Sequence, residues 1–307
     1  METYLTKQQR QIWFEQGYLL VEGFFTPERL KPALDLYDRL WRECPDSVVV
    51  DDLDSVERQR MSAVQGRRRT HRYKLNDLYL DHDAIRDLRL DERLTQILWE
   101  LMIDQPVCCN TLSFEYGSQQ PLHVDALYMK PPSPHNLTAS WIALEDTRPE
   151  SGPMRYVPGS HVIPQYRFSN GDTRSVAEEM AAWHAYMDQK VTEYGLEVKT
   201  FLPPKGDLFI WSSYLYHGGS HIADKSATGM SLVTHYFTKT DAERMCPLVE
   251  HNAGYWMKKP KLQVEAPRTS QTRRAGATRE ALPLVEDLLR TTVHHGRRWL
   301  ADIRRKF

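Results

Sequence analysis

The chain has 307 residues, of which 41% are hydrophobic and 26% are charged, and its formal net charge is −1. This balance is typical of a globular protein with a large core, and it gives no reason to expect nucleic acid or an anionic membrane as a partner. The four cysteines form no Cys-x-x-Cys pair, and the N-terminus has no apolar run after a basic start. We therefore expect reduced thiols, a cytoplasmic location and no membrane span.

The N-terminal part of the chain is predicted to contain several helices. Residues 6–15 have the pattern of a short helix with Thr6 as its N-cap, and residues 17–25 are predicted to form a strand. Thr26-Pro27 is typical of a helix start, and this helix should run to about residue 42. Residues 83–103 carry leucines at helical spacing, which predicts one or two amphipathic helices.

The middle of the chain is predicted to be mainly β. Its periodic segments are short, rich in β-branched and aromatic residues, and separated by Pro, Gly, Asn and Asp. Such a pattern favours a β-sandwich or barrel. The predicted strands are residues 112–116, 138–144, 154–157, 198–201, 207–211 and 230–237. Residues 175–192 interrupt them with a helical composition, which fits either a lid over a site or an ordinary surface helix.

The C-terminal part differs in composition from the rest. We expect one domain over residues 1–265, a linker over 266–280 that is rich in Arg, Thr, Ala and Gly, and an amphipathic helix over 281–303. This helix could dock on the domain or on a second copy of the chain, which would give a homo-oligomer.

Two sequence segments predict a metal site. His123-Val-Asp125 lies just after one predicted strand and opens another, and residues two apart on a strand point to the same face. His217 follows the predicted strand 207–211. If that strand is a neighbour in the same barrel, the three side chains meet. Two histidines and one carboxylate form the facial triad of non-haem Fe(II) oxygenases, although His-x-Asp alone is a weak signal that also occurs by chance.

Four ordered segments make this reading more specific. "LTKQQRQIWFEQGYLLVEGFFTPE", "PLHVDALYM", "WIALEDTRPESGPMRYVPGSH" and "KGDLFIWSSYLYHGGSH" occur in this order. They resemble segments of the phytanoyl-CoA dioxygenase family of Fe(II)/2-oxoglutarate oxygenases. The likeness covers about residues 5–237. It implies a mainly β fold with flanking helices, a double-stranded β-helix of the jelly-roll or cupin type.

The same resemblance implies the cofactors and some of their contacts. It assigns His123, Asp125 and His217 to Fe(II) and places Trp141 beside the co-substrate, 2-oxoglutarate. His161, in the Pro-Gly-Ser-His turn, is structural in the relatives. The resemblance also implies an enzyme that oxidises a C–H bond with molecular oxygen, most simply by hydroxylation. The carboxylate of Asp125 argues against a halogenase, which would leave that coordination position to chloride.

One feature departs from the family pattern. Relatives carry an arginine after the distal histidine that pairs with the far carboxylate of 2-oxoglutarate, as the planar guanidinium suits. Here the matching position is Gly229 or Thr228, and Gly219 stands where relatives often have serine. Arg155, Lys74 and Thr228 are our candidate contacts of the co-substrate; Arg72 and Lys225 are further cations nearby. Alternatively, the enzyme uses iron without 2-oxoglutarate, or the protein binds without catalysis.

The substrate is only broadly indicated by the sequence. Gln120, Tyr128, Trp211 and Tyr214 flank the metal segments, and aromatic and amide side chains suit a neutral, hydroxylated or ring-bearing small molecule. We expect a role in specialised metabolism. A zinc-dependent hydrolase stays open as a different class, because two histidines and a carboxylate also bind zinc.

Overall fold

The computed structural model describes residues 3–264 of the chain. This part contains helices α1 (Lys7–Gln16), α2 (Pro27–Glu43), α3 (Asp83–Arg89), α4 (Glu92–Met102), α5 (Met180–Glu193) and α6 (Lys239–Ala242). Helix α1 begins as predicted, because the Thr6 hydroxyl accepts from the Gln9 N–H while the Gln9 side chain accepts from the Thr6 N–H. The helical stretch predicted over 83–103 is two helices, since the first ends at Arg89 and Asp91 caps the start of the second.

The strands form two sheets. They are β1 (Tyr18–Val21), β2 (Val49–Asp52), β3 (Glu57–Arg60), β4 (Tyr73–Asn76), β5 (Pro106–Phe114), β6 (Leu137–Ala143), β7 (Met154–Tyr156), β8 (Lys199–Thr200), β9 (Leu208–Ser212), β10 (His217–Gly219), β11 (Ser231–Thr238), β12 (Leu248–His251) and β13 (Gly254–Met257). The main sheet has the antiparallel order β1-β9-β6-β11-β5-β4-β2-β3, with β13 beside β5 and β12 beside β13. The small sheet has the order β10-β7-β8. A largely antiparallel, mainly β fold with flanking helices is therefore confirmed.

The two faces of the main sheet have different neighbours. Because side chains alternate along a strand, β6, β9 and β11 each present one row to the helices and one row to the small sheet. Ile142 and Leu232 are fully buried on the first face, in the large core that includes α2, α3 and α4. Trp141 and Trp211 lie on the second face and pack with Tyr156 of the small sheet. This second face, the front face, carries the candidate site.

Some predicted elements differ from the structure. The strand predicted over 17–25 is shorter, because only Tyr18–Val21 pairs with β9 before the chain turns. Strand β5 begins six residues before its predicted start at residue 112, and β2, β3 and β4 were not predicted. Helix α5 begins inside the segment 175–192 predicted as helical and ends one residue beyond it, and Trp183 and Met187 pack it against Tyr216 and Val124. This packing is that of an ordinary docked helix.

In the described part of the chain, no helix has the length and apolar character needed to cross a bilayer. The predicted linker over 266–280 and the predicted helix over 281–303 lie outside the described residues.

Candidate metal centre

The backbone brings the two predicted histidine ligands together. His123 and His217 form an isolated antiparallel bridge: the His123 N–H donates to the His217 carbonyl at 2.7 Å, and the His217 N–H donates to the His123 carbonyl at 2.9 Å. Asp125 was expected on a strand that begins at His123, and this was wrong. Only Val124 is extended, and Asp125 opens a short 3-10 turn, Asp125–Leu127. One extended residue is enough to keep His123 and Asp125 on the same side.

Both imidazoles are held in the orientation that a metal ligand needs. Nδ1 of His123 lies 2.9 Å from the Pro121 carbonyl, and Nδ1 of His217 lies 2.9 Å from the Leu215 carbonyl. A carbonyl can only accept, so each Nδ1 carries the proton and each Nε2 is left with a lone pair. The Nε2 atoms lie 3.7 Å and 3.6 Å from Oδ1 of Asp125. The three ligand atoms all lie within 4.8 Å of one another.

The charges of these groups also suit a cation. Burial lowers the pKa of His123 to about 4, helped by the neighbouring His217, so its imidazole is neutral at neutral pH. Burial opposes ionisation of Asp125, but His217 and His235 beside it outweigh that effect and hold its pKa well below the usual range. A neutral imidazole at His123 and an ionised carboxylate at Asp125 are the protonation states that metal binding requires.

Trp211 holds the other oxygen of the carboxylate. Its indole Nε1–H donates to Oδ2 of Asp125 at 2.8 Å, and both side chains are buried. Oδ1 is therefore the oxygen that faces the two imidazoles. Hydrogen bonds of this kind to a ligating carboxylate orient the ligand and tune the metal. Trp211, which was predicted to contact substrate, also lines the cavity beside the metal ligands.

A cavity opens beside the three side chains on the front face of the main sheet. Its wall includes Trp141, Ser231 and Val233 from the strands and Gln120 from the loop before His123. Trp141, predicted beside the co-substrate, and Gln120, predicted to contact substrate, both line this cavity. Tyr128 stands near the rim, with its ring 5.7 Å from that of His123 and 51% of its surface exposed.

Other predicted residues lie away from this cavity. The ring of Tyr214 packs at a tilt against that of His135, with centroids 4.6 Å apart, and Tyr214 lines a separate small cavity beside α5. The Lys74 ammonium pairs with Asp51 at 2.8 Å. The Thr228 hydroxyl donates to Glu145 at 3.0 Å.

Arg155 does not line the cavity either, although its neighbour Met154 does. Adjacent residues of a strand point to opposite faces, so the two side chains of β7 diverge. Arg72, the further cation weighed for this role, donates to Asp54 and to the Ser118 carbonyl. The structure therefore does not bring the candidate cations of the co-substrate site to the metal.

The glycine at position 219 has a structural reason. A Cβ at Gly219 would lie 2.7 Å from the backbone nitrogen of Gln119, which is closer than side chains approach a backbone. The serine found in relatives would collide there. Gly229 is less confined, since a Cβ would meet Ser151 Oγ at 3.3 Å. Tight packing thus explains why glycine stands at position 219. Packing does not by itself explain the glycine at position 229.

The sequence reasoning missed one histidine of the site. His235 lies on the front face of β11, four residues after Ser231, and its Nε2 is 3.4 Å from Oδ1 of Asp125. The alternation of β11 could have found it, because Ser231, Val233 and His235 share one face of the strand. A histidine in a strand of apolar and hydroxyl residues gave no signal by itself.

Comparisons with known proteins agree with this geometry. The phytanoyl-CoA dioxygenase (PhyH) family matches residues 13–226 of the chain. No curated protein sequence matches the chain.

Solved structures with a similar fold include α-ketoglutarate-dependent enzymes. The α-ketoglutarate-dependent carbocyclase SnoK from nogalamycin biosynthesis has a TM-score of 0.57 and 16% identity over 77% of this chain and 86% of its own. The epimerase SnoN in complex with Fe³⁺, α-ketoglutarate and nogalamycin RO has a TM-score of 0.57 and 17% identity over 92% and 96%. EctD from S. alaskensis with 2-oxoglutarate and 5-hydroxyectoine has a TM-score of 0.58 and 16% identity over 87% and 85%.

At these identities the structures establish the fold, which is the predicted double-stranded β-helix. Nothing in the comparisons supports a zinc hydrolase, an oxygenase without 2-oxoglutarate or a non-catalytic protein.

Proposed function

The chain belongs to the phytanoyl-CoA dioxygenase (PhyH) family, and from this membership we propose that it oxidises a C–H bond of a small molecule at iron held by His123, Asp125 and His217. It is an Fe(II)- and 2-oxoglutarate-dependent dioxygenase, as the family is. The assignment of the metal ligands rests on the orientation of the two imidazoles. Each Nδ1 is bound to a carbonyl, so each Nε2 lone pair faces the Asp125 carboxylate.

The donor set fits iron, because two imidazoles and one carboxylate leave coordination positions open for other ligands. When bound, iron and 2-oxoglutarate supply the activation of oxygen. The chain's own residues do the positioning. The backbone bridge sets the spacing of His123 and His217, and Trp211 turns Oδ1 of Asp125 toward them. Because Asp125 occupies a coordination position, hydroxylation is favoured over halogenation.

The cavity wall that would contact the far carboxylate of 2-oxoglutarate differs from the wall expected in relatives. The described residues that line the cavity include no lysine or arginine. Two hydroxyls in the wall, those of Ser231 and Thr147, form no hydrogen bond within residues 3–264 and can donate to a ligand. In this proposal they hold the far carboxylate of the co-substrate where relatives use arginine. Neutral donors bind a carboxylate more weakly than a guanidinium does, so 2-oxoglutarate should bind with modest affinity.

The substrate would enter over the exposed side of the centre. Gln120 in the wall and Tyr128 near the rim offer an amide and a phenol beside the metal ligands. Such groups suit a neutral, hydroxylated or ring-bearing molecule of specialised metabolism. We further propose that the protein is cytoplasmic, binds no nucleic acid and forms a homo-oligomer through the segment 281–303, for which the sequence predicts a helix. Size-exclusion chromatography with and without residues 266–307 tests the oligomer.

Anaerobic reconstitution tests the metal assignment. The apoprotein is titrated with Fe(II) and then with 2-oxoglutarate, and the visible metal-to-ligand charge-transfer band is recorded. The band is expected in the wild-type protein and in a His251→Ala control, whose imidazole bonds Asp87. It is expected to be lost in His123→Ala and in His217→Ala. Tight zinc binding without an iron-dependent reaction would contradict the proposal.

A second experiment tests the proposed co-substrate site. The Gly229→Arg variant places a guanidinium at the cavity wall, and its affinity for 2-oxoglutarate should rise about tenfold or more, as expected for a charged hydrogen bond. The affinity for 2-oxobutyrate, which has no far carboxylate, should stay unchanged and serves as the control. Ser231→Ala should weaken only 2-oxoglutarate. Equal responses to both acids would mean that the co-substrate lies elsewhere.

A further inference from the structure

A positive charge is buried behind the sheet that carries the metal centre. Arg89 is the last residue of α3, and it is 0% exposed. Its Nε donates to the Thr234 hydroxyl, and its Nη2 donates to the Leu232 carbonyl at 2.9 Å and to the Ser140 hydroxyl at 3.3 Å. Its Nη1 is buried and has no hydrogen-bond partner within residues 3–264. The guanidinium is thus held by neutral oxygens.

In the described part of the chain, no ionised acid balances this charge. Arg89 pairs with no aspartate or glutamate there, and the ionisable groups that act on its charge are Tyr236, Cys108 and Tyr37. Burial raises the pKa of both tyrosines to about 12 and that of Cys108 well above its usual value, so all three are neutral at neutral pH. Burial also lowers the pKa of Arg89, but a guanidinium keeps its proton in proteins. The interior therefore contains a positive charge without a counter-charge.

This charge lies directly behind the wall of the metal cavity. Thr234 of β11 and Ser140 of β6 are paired neighbours on the helix side of the main sheet. Val233 and His235, on either side of Thr234, point to the front face and line the cavity. Trp141, next to Ser140, does the same. A guanidinium on one face of the sheet and an anion on the other are therefore separated by about 10 Å, the usual spacing of packed layers.

Stability does not explain a buried charge of this kind. Burial without an opposite charge is unfavourable, and a neutral side chain of similar length would avoid the cost. The cavity across the sheet receives an anion under the proposed function, although its described wall contains no lysine or arginine. At about 10 Å and an effective dielectric constant of about 20, the attraction between two unit charges corresponds to about a 10- to 20-fold change in a binding constant. The charge of Arg89 is thus close enough to affect the binding of 2-oxoglutarate.

We propose that Arg89 attracts the anionic co-substrate through the main sheet and supplies the positive charge that the cavity wall lacks. The hydroxyls of Ser231 and Thr147 would contact the far carboxylate and orient it, while Arg89 would contribute attraction without contact. Because the guanidinium is fully buried, dissolved salt screens its field only weakly. This role rests on the proposed function, and it adds a residue that lies outside the cavity.

The binding of a cation and of an anion separates a charge effect from a packing effect. Calorimetry under anaerobic conditions gives the Co(II) affinity of the full-length apoprotein and the 2-oxoglutarate affinity of the Co(II)-loaded protein. Arg89→Gln and Arg89→Met remove the charge. Both should weaken 2-oxoglutarate binding about tenfold or more and tighten Co(II) binding, because the two ligands carry opposite charges. Binding of 2-oxobutyrate, which carries one negative charge fewer, should weaken by a smaller factor.

Two further variants serve as controls. Arg89→Lys keeps the charge, so its affinities for Co(II) and 2-oxoglutarate should stay close to those of the wild type. Arg29→Gln removes a guanidinium that pairs with Asp91 at 2.8 Å and has a side chain 53% exposed, where water and salt screen it. It should change neither affinity. Thermal unfolding of each apoprotein reports whether the variant is folded, and the effect in Arg89→Gln should persist at high salt.

The outcomes separate this role from the proposed function. If the neutral variants of Arg89 bind Co(II) and 2-oxoglutarate more weakly by the same factor, Arg89 only supports the fold, and the electrostatic role is refuted. If the neutral variants bind 2-oxoglutarate as the wild type does, the role is likewise refuted, and the proposed function stands. If the Co(II)-loaded wild type does not bind 2-oxoglutarate at all, the proposed function itself fails.

Discussion

The hydrogen bond from Trp211 to Asp125 gives a quantitative prediction for metal affinity. In Trp211→Phe the indole Nε1–H is lost, and Oδ2 of Asp125 stays buried without its donor. A hydrogen bond to a charged group contributes about 1.5–3 kcal/mol, which corresponds to about a 10- to 150-fold change in an equilibrium constant. Metal binding depends on this bond because it selects the oxygen that faces His123 and His217. We expect the dissociation constant for Fe(II) or Co(II) to rise by that factor.

The choice of control isolates the hydrogen bond from the loss of volume. Trp141→Phe removes the same atoms from a second buried tryptophan of the cavity wall, and the Trp141 indole makes no hydrogen bond to a metal ligand. Both variants should lose stability because both leave a cavity in the front-face core, and Trp211→Phe should lose more because it also leaves Oδ2 of Asp125 without a donor. Only Trp211→Phe should lose metal affinity beyond about twofold.

The assay is an anaerobic competition titration of the apoprotein against a chelator of known affinity. Unfolding curves of the same samples report the change in stability. Equal metal affinities for Trp211→Phe and the wild type would refute the reasoning, because Asp125 would then be oriented without the indole. Equal losses of metal affinity in Trp211→Phe and Trp141→Phe would mean that packing, and not the hydrogen bond, determines the affinity.

Three further predictions concern stability and reactivity. Gly219→Ala should lower the free energy of unfolding by about 1–3 kcal/mol, as overpacking does, and Gly229→Ala should lower it by less. Equal losses of unfolding free energy in the two variants, measured by chemical denaturation, would contradict this. The guanidinium of Arg89 is fully buried among neutral oxygens, and burial lowers its pKa, so Arg89→Met should keep or raise the melting temperature while Arg89→Ala lowers it. In the folded protein a thiol reagent should modify Cys246 first, because Cys109 is buried and burial raises its pKa to about 12. Mass spectrometry of the labelled peptides measures the order of modification. Fast labelling of Cys109 would contradict its buried placement.

The fold was predictable where a strand carries a periodic apolar pattern. The segments 138–144, 207–211 and 230–237 alternate or run apolar, and each corresponds to a strand of the main sheet. Strand β3 was missed because Glu57–Arg60 is polar and lies at the edge of the sheet, where packing does not demand apolar residues. Strand β4 was missed because Tyr73–Asn76 is only four residues long, although Tyr73 and Leu75 are buried. Pairing with neighbours, which the sequence does not display, makes them strands.

The metal ligands could be predicted from the sequence, but the residues that contact and orient those ligands could not. The ordered segments around His123 and His217 pointed to the metal, and the structure places both imidazoles together. The partners of Asp125 escaped notice because Trp211 and His235 are 86 and 110 residues away in the chain and meet it only through the front face. Charged candidates such as Lys74 failed for the opposite reason, because a nearby carboxylate had already paired with them.

The backbone bridge between His123 and His217 bears on how metal enters the protein. Two reciprocal amide hydrogen bonds, at 2.7 Å and 2.9 Å, tie the ligand-bearing residues to each other directly. The separation of their imidazoles is thus a property of paired main chains, and changes in the length of the surrounding loops should leave it intact. Such a centre exists before the ion arrives. Loading then requires only desolvation and entry of the cation, so its rate should follow metal concentration without a slow rearrangement step.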